Sequence, residues 1–396
     1  LKDKFIAGDR VDTVKAVKKC IREDRTGSKI KLGKDKLPLI KSAENQHILL
    51  QGTTGMGKST IIREILAQIR DRGDRAIIYD RGGSLAKHFY DEEKDHLMNC
   101  LDARAENWSL WAECKEKTDF NNYAIAQIPM PLSSQDPFWV NAARRIFAEA
   151  AFQLSLQSES PRMLPLLKHL LTAELGDIKS LLKGTIAESL VSEKIEKTAE
   201  SVKSVLATYL ESLSFIKEGD NPFSIKDWVR NPADDGWLFI TSTADRHETL
   251  KPMITAWLDL AINTMLSLPE DNARRTWIIL DELNSLHKLP YITEGLAESR
   301  KFGGCFVLGF QNIAQIREVY GMNGATSISG LLNTRLFFRQ PDQELAKWSS
   351  DNLGEQIIEE VVENISYGAN TMRDGVSINR NKRKEPAVLP SDIMRL

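Results

Sequence analysis

An α/β fold built on a parallel sheet is predicted by three features of this 396-residue sequence. A glycine-rich loop, Gly52 to Ser59, stands between an apolar run, His47-Ile-Leu-Leu50, and a stretch of helical apolar spacing, Ile61 to Ile69. A second apolar run, Arg75-Ala-Ile-Ile-Tyr-Asp80, follows at once, so the chain opens strand–helix–strand, the unit of a parallel sheet with a right-handed crossover. Strand-like runs then return after a long helical interval, at Gly236–Thr241, Trp277–Glu282, Cys305–Gln311 and Arg335–Arg339. The alternation on both sides of that interval predicts an α/β domain interrupted by an all-helical one.

In chain order, residues 1–45 read as a basic arm, with weak helical spacing from Val11 to Ile21 and a polar turn at Asp24–Ser28. Residues 46–100 carry the first strands. Residues 101–225 form the predicted all-helical insertion. Asp136-Pro137 is an N-cap and first-turn pair opening a helix from Phe138 to Leu156, followed by helical stretches at Leu164–Leu175, Ile178–Leu190 and Ile195–Lys217. Residues 226–396 return to the α/β pattern, with helices at Thr249–Leu268 and Leu289–Phe302. The tail from Tyr367 to Lys384 is polar and basic.

Composition excludes several classes. An apolar content of 42% and a charged content of 27% are those of an ordinary globular chain. No apolar run approaches the ~18 residues of a membrane-spanning helix. The chain opens on Leu1 rather than Met, which suggests that a natural segment precedes it. Cys20, Cys100, Cys114 and Cys305 lie far apart, a pattern of reduced thiols rather than a disulfide frame or zinc site. The six histidines show no metal-ligand spacing. Net charge is −2, yet residues 1–41 alone carry 13 Lys+Arg against 6 Asp+Glu. Such a leader either lies against anionic lipid or nucleic acid or is a solvated arm.

The loop carries the chemistry. Gly52, Thr53, Thr54, Gly55, Met56, Gly57, Lys58, Ser59 and Thr60 spell G-x-x-x-x-G-K-S, the P-loop pattern, in its strand–loop–helix setting. Backbone N–H groups and the helix N-terminus would cradle the phosphates of ATP, Lys58 would add a point charge, and Ser59 would ligate Mg²⁺. A chance glycine turn would not also bring the acidic strand downstream. There, Asp281-Glu282 ends the run Trp277–Leu280. Asp281 is expected to hold the metal with Ser59, and Glu282 to activate the attacking water. Gln311 ends the following strand, either touching the γ-phosphate or capping the helix after it. Arg300 is either an arginine finger serving a neighbouring subunit or a charge at its own helix end, with Arg335 and Arg339 as competitors. Together these features describe a RecA-like P-loop nucleotide-binding domain with an inserted all-α domain.

The whole pattern resembles the TraD-type coupling proteins of bacterial conjugation. The resemblance is carried by Gly52–Ser59, Ile78-Tyr-Asp-Arg81, Asp136-Pro-Phe-Trp139, Ile146–Ala151, Glu193–Ala199, Gly236–Ile240, Asp281-Glu-Leu283, Leu286–Pro290, Arg300–Cys305, Asn333–Arg339, Tyr367-Gly-Ala369 and Arg373–Ser377. It implies a homo-hexameric ATPase on the cytoplasmic face of the bacterial inner membrane. Such an ATPase links relaxosome proteins on nicked plasmid DNA to the channel proteins of a type IV secretion system. It also implies sequence-independent contact with single-stranded and duplex DNA, and a trans role for Arg300. The family's N-terminal membrane helices and C-terminal docking tail have no counterpart in these 396 residues. An FtsK-like duplex translocase and a slow, nucleotide-gated docking platform remain as alternatives, although no winged-helix module follows residue 340.

Overall fold

A computed structural model describes residues 4–53, 55–132, 137–172, 175–191, 196–366 and 375–396. Its strands are β1 (Lys4–Gly8), β2 (Gly27–Leu32), β3 (Leu37–Ile40), β4 (Ile48–Gln51), β5 (Arg75–Arg81), β6 (His96–Met98), β7 (Leu238–Ser242), β8 (Thr276–Leu280), β9 (Gly304–Phe310), β10 (Thr334–Phe337), β11 (Glu355–Ser366) and β12 (Gly375–Pro386). Seven of them form a parallel sheet in the order β10-β4-β9-β8-β5-β7-β6. The expected α/β class is borne out.

The central strands are buried on both faces, which is why they read as unbroken apolar runs. Alternate residues serve different cores. On one face Ile48, Leu50, Ile78, Ile279 and Val307 pack with Ile62, Ile65, Leu66 and Ile69 of the Lys58–Arg72 helix. On the other, Leu49, Ile77, Leu280, Leu308 and Phe310 join the long helix His247–Leu266 and the helical segment in one continuous core. Each fully buried Ile or Leu side chain contributes about 1.5–3 kcal/mol, so burial on both faces holds the sheet between its helices.

Among the described residues between β6 and β7 there is no strand, only helices and turns, including Lys117–Gln127, Phe138–Gln157, Met163–Leu171 and Glu196–Leu210. The helix from Phe138 starts where expected; its proposed cap Asp136 lies outside the described residues. The segment leaves and returns through a narrow neck. Trp108 N donates to Lys217 O at 2.9 Å, and Phe223 N to Asn107 O at 2.8 Å. The buried Glu113 carboxylate accepts from Trp108 Nε1, Ser224 Oγ and the N–H groups of Ile225 and Lys226.

Residues 4–45 are not a loose arm. Thr13 caps a helix, Val14–Glu23, and β2 and β3 form a hairpin whose Ile30, Leu32 and Leu39 enter the core under the Lys58–Arg72 helix. The sequence pattern obscured this because the hairpin alternates lysine with its apolar residues. Cations concentrate on its outer side: Lys15, Lys18, Lys19, Arg22, Lys31 and Lys36 line one groove of about 910 Å³ with Asp35. From Gly375 onward the basic tail is also structured. It forms β12 and pairs antiparallel with β11, whose other edge receives β1. Arg383 is 2.7 Å from Glu385 and 3.7 Å from Glu360, and Lys384 pairs with Glu355, so this basic run is partly neutralised within its own sheet. The Tyr367–Ala369 stretch and the start of Arg373–Ser377 lie outside the described residues, as does part of Glu193–Ala199. The Leu289–Phe302 helix is in fact two pieces, Ile292–Glu298 and a 3-10 turn Ser299–Phe302.

Glu44 ties the N-terminal hairpin to the sheet. Its buried carboxylate accepts from Arg72 at 2.8 and 3.0 Å, from Arg275 at 3.1 Å and from Ser28. Burial alone would raise its pKa; the two guanidinium groups and Ser28 outweigh that and hold it below the ordinary value. A buried acid depressed in this way contributes stability above the usual glutamate pKa of about 4.3, and loses it as pH falls through the lower native value. Glu44→Gln should therefore cost about 1–3 kcal/mol near neutral pH, because Arg275 loses its carboxylate partner and Arg72 keeps Asp74 alone, and should flatten the acid limb of the stability curve. Denaturant unfolding from pH 3 to 8 checks both; an unaltered acid limb would contradict the assignment.

Candidate nucleotide-binding site

In a parallel sheet all the carboxyl ends meet at one edge, where ligands of open α/β folds bind. At that edge β4 runs into the glycine-rich loop and the Lys58–Arg72 helix. Gly57 sits at φ 106°, a left-handed conformation that turns the chain directly into the helix. The first-turn N–H groups, which have no intrahelical partners, are thereby left at the loop. A cavity of about 240 Å³ opens there, lined by Gly55, Gly57, Lys58, Ser59, Thr60, Asp281, Glu282 and Gln311. The structure thus brings both halves of the expected site together from positions more than 200 residues apart.

The ordering of the strands explains how. β9 lies between β4 and β8, so Gln311 projects from the strand that separates the loop from the acids. Ser59 Oγ lies 3.2 Å from Asp281 Oδ2 across that gap. Gly309 of β9 makes room for the acid: a Cβ there would stand 2.1 Å from Asp281 O. Lys58 is buried, with its ammonium bonded to the loop's own Gly52 carbonyl and to Thr53 O at 3.2 Å. Burial pushes the Lys58 pKa down, opposed by Asp281 and Glu282. Asp281 is pushed up by its own burial, opposed by its bond to Ser59 and the charge of Lys58. An ammonium and a carboxylate held this far out of water gain strongly when an anionic ligand and a cation arrive together.

The donor set fits Mg²⁺. One hydroxyl and one carboxylate oxygen within hydrogen-bond distance leave the remaining positions to water and phosphate, as that ion prefers. Among the described residues no cluster of three His, Cys, Asp or Glu side chains forms a closed metal cage.

Of the other loop residues, Met56 is exposed and Thr53 Oγ1 donates to Arg339 O at 3.4 Å, whereas Thr54 lies outside the described residues. Arg300 is not near this cavity. It precedes β9, whereas the cavity follows it, so a seven-residue strand, or about 20 Å, separates them. Its exposed side chain has no hydrogen bond or ion pair with the described residues. The strand direction places Arg300 and Asp281 at opposite ends of the sheet. Arg335 is engaged elsewhere, by Leu332 O, Ser329 O and Asn352, and Arg339 Nε donates to Met394 O at 3.3 Å. One site residue was overlooked. Arg81, at the end of β5, reaches Glu282. No spacing in the sequence marks it, because the contact depends on the register between β5 and β8.

A family model described as the type IV secretion-system coupling protein DNA-binding domain matches residues 31–396. The coupling protein TraD of Escherichia coli (strain K12) is 41% identical over 391 residues, covering 97% of this chain and 54% of TraD. The chain therefore spans about half the length of that relative. The unbound conjugative coupling protein TrwBdeltaN70 superposes with a TM-score of 0.86 at 31% identity, over 99% of this chain and 89% of that one. TrwB in complex with ADP and Mg²⁺ gives the same TM-score at 30% identity, over 100% of this chain and 89% of that one.

Lys58→Ala removes the cavity's one lysine. A charge-assisted hydrogen bond to phosphate is worth about 1.5–3 kcal/mol, so affinity for a non-hydrolysable ATP analogue should fall by about ten- to a hundredfold. Titration of the analogue against wild-type and variant chains, with circular dichroism to verify the fold, checks this. Equal affinities would remove Lys58 from the site.

Proposed function

Because the chain belongs to the type IV secretion-system coupling proteins, we propose that it is an ATP-driven motor that moves DNA toward a secretion channel during conjugation. The observation that carries this reading is the convergence of Lys58, Ser59, Asp281, Glu282 and Gln311 on one cavity at the carboxyl edge of the sheet. TrwB, similar along this whole chain, has been seen with ADP and Mg²⁺.

The chemistry follows from the side chains. The loop N–H groups and Lys58 bind the phosphates of ATP, Lys58 exchanging its bonds to the Gly52 and Thr53 carbonyls for phosphate oxygens. Ser59 and Asp281 would hold Mg²⁺, which offsets phosphate charge when bound. Glu282 takes a proton from a water molecule as its oxygen bonds to the γ-phosphorus. The bond from that phosphorus to the β–γ bridging oxygen breaks, leaving ADP and phosphate. Gln311, on the intervening strand, orients the water or the γ-phosphate.

The remaining parts of the reading concern the assembly. Residues 101–225 are taken as an all-helical domain inserted into the nucleotide-binding domain of residues 46–100 and 226–396; the neck at Trp108 and Phe223 supports this. Subunits form a homo-hexamer whose pore holds DNA through its phosphates, independent of sequence. Relaxosome proteins and secretion-channel proteins are its partners. The groove lined by Lys15, Lys18, Arg22 and Lys31 lies against the anionic cytoplasmic surface of the inner membrane. Arg300 acts in trans, completing the active site of the next subunit. Its distance from its own loop and its unpartnered side chain support that role, as do the bonds already holding Arg335 and Arg339.

Three outcomes are expected. Single-stranded or duplex DNA should raise the ATPase rate of the chain at low salt and less at high salt; a rate indifferent to DNA would favour a docking platform over a motor. In co-sedimentation, liposomes containing anionic lipid should retain the chain, whereas neutral ones should not; charge reversal at Lys15, Lys18 and Arg22 should abolish the difference, and equal recovery throughout would make the groove a solvated face. Finally, Arg300→Ala and Lys58→Ala subunits, each inactive alone, should regain part of the activity when mixed, because some interfaces then pair an intact loop with an intact arginine. Arginine fingers are worth roughly 10³–10⁵ in rate, so even partial recovery is measurable. A mixture as dead as its components, or an Arg300→Ala chain that was never impaired, would rule the trans role out.

A further inference from the structure

Arg81 ends β5 and Glu282 follows β8 by two residues, and these neighbouring strands pair with Tyr79 opposite Leu280. Extending that register by two residues sets Arg81 beside Glu282. Nη1 of Arg81 lies 3.4 Å from Oε2 of Glu282, and both side chains are about a third exposed, at 33% and 31%. Neither side chain has another hydrogen bond or ion pair among the described residues.

Both backbones are fixed independently of this contact. On the Arg81 side, Gly82 N donates to Ser242 O at 2.9 Å, and the buried Asp80 carboxylate accepts from Leu85 N at 2.6 Å and Ala86 N at 2.9 Å. Asp80 is thereby committed to its own turn and is not a third acid for the cavity. On the Glu282 side, its carbonyl accepts from Ser285 Oγ at 2.7 Å and Ser285 N at 3.1 Å. Ser285 is held in turn by Tyr79 OH at 2.6 Å and His247 Nε2 at 2.8 Å. With its main chain pinned, what is left to set at Glu282 is the direction of its carboxylate. Among the described residues, Arg81 is the group that bonds that carboxylate.

We propose that Arg81 is a positioning residue for Glu282, holding the carboxylate in the orientation from which it meets the attacking water. This rests on the reading of the cavity as a site of ATP hydrolysis. Arg81 acts through Glu282 and does not bind nucleotide, consistent with its absence from the residues lining the cavity. An exposed ion pair contributes little to stability, so its loss should leave the fold intact. A catalytic group misplaced by about 1 Å can lose up to about 10²-fold in rate, so the contact bears on turnover far more than on folding.

The test is a double-mutant cycle in the full chain with ATP, Mg²⁺ and DNA, read by steady-state and single-turnover hydrolysis. Arg81→Ala should lower kcat by about tenfold or more while KM for ATP moves less than about twofold, and Arg81→Lys should recover part of the loss. In a Glu282→Gln background, Arg81→Ala should leave the residual single-turnover rate unchanged, because the group it positions is gone. A fall in nucleotide affinity of the same size in both backgrounds would overturn the proposal in favour of direct phosphate contact. An unchanged kcat would overturn it outright. Lys58→Ala, run in parallel, separates the two levels. Turnover that survives Lys58→Ala arises elsewhere and overturns both readings, whereas turnover lost with Lys58 and kept in Arg81→Ala overturns this inference alone.

Discussion

The placement of β9 between the loop strand β4 and the acidic strand β8 is the constraint on which the site depends. Two strand spacings, each about 4.8 Å, separate the end of β4 from the end of β8. Across that width the Lys58 ammonium bonds the carbonyls of its own loop. Ser59, one residue into the helix, is left to span the gap, and its hydroxyl meets Asp281 at 3.2 Å. The intervening strand ends in Gln311, so a neutral polar side chain rather than a charge stands between cation and acid. The same geometry explains Gly309, since any side chain there would collide with the Asp281 carbonyl. The place of Gln311 between the loop and the acids follows from this one feature of strand order.

The carboxyl edge of the sheet is also tied into the rest of the molecule. Glu282 O, Ser285, Tyr79, His247 and Ser242 form a buried hydrogen-bonded chain that ends at the first turn of the His247–Leu266 helix. Burial pushes the His247 pKa down, and its two ring nitrogens are both engaged, so this link runs through neutral groups. The helix it reaches packs on the sheet and on the helices at Lys117–Gln127 and Ile225–Arg230, either side of the neck closed by Glu113. Hydrogen bonds and packing thus run without a break from the Glu282 loop to the helical segment. Dense packing makes such a path stiff, because interiors at this density transmit strain rather than absorb it. Resident charge would have been a poorer carrier, since ion pairs at this depth cost desolvation on both sides.

Sequence by itself determined the strand–loop–helix unit, the identity of the acids and the interruption of the α/β pattern by helices. These are local matters. A P-loop declares itself within eight residues because phosphate binding needs glycines, a lysine and a hydroxyl in fixed succession, and doubly buried strands declare themselves as apolar runs. The alternating lysines of β2 and the charged residues of β11 and β12 hid three more strands, since strands with one solvated face lack that continuous signal. Tertiary structure alone decided the strand order, and with it the position of Gln311 between loop and acids. It alone set Arg300 at the far end of β9 from the cavity that its sequence neighbours Asp281 and Glu282 line, because strand direction is a property of the sheet. And it alone brought Arg81 to Glu282 across 201 positions of chain, through a register between β5 and β8 that hydrogen bonds fix and that no spacing in the sequence records.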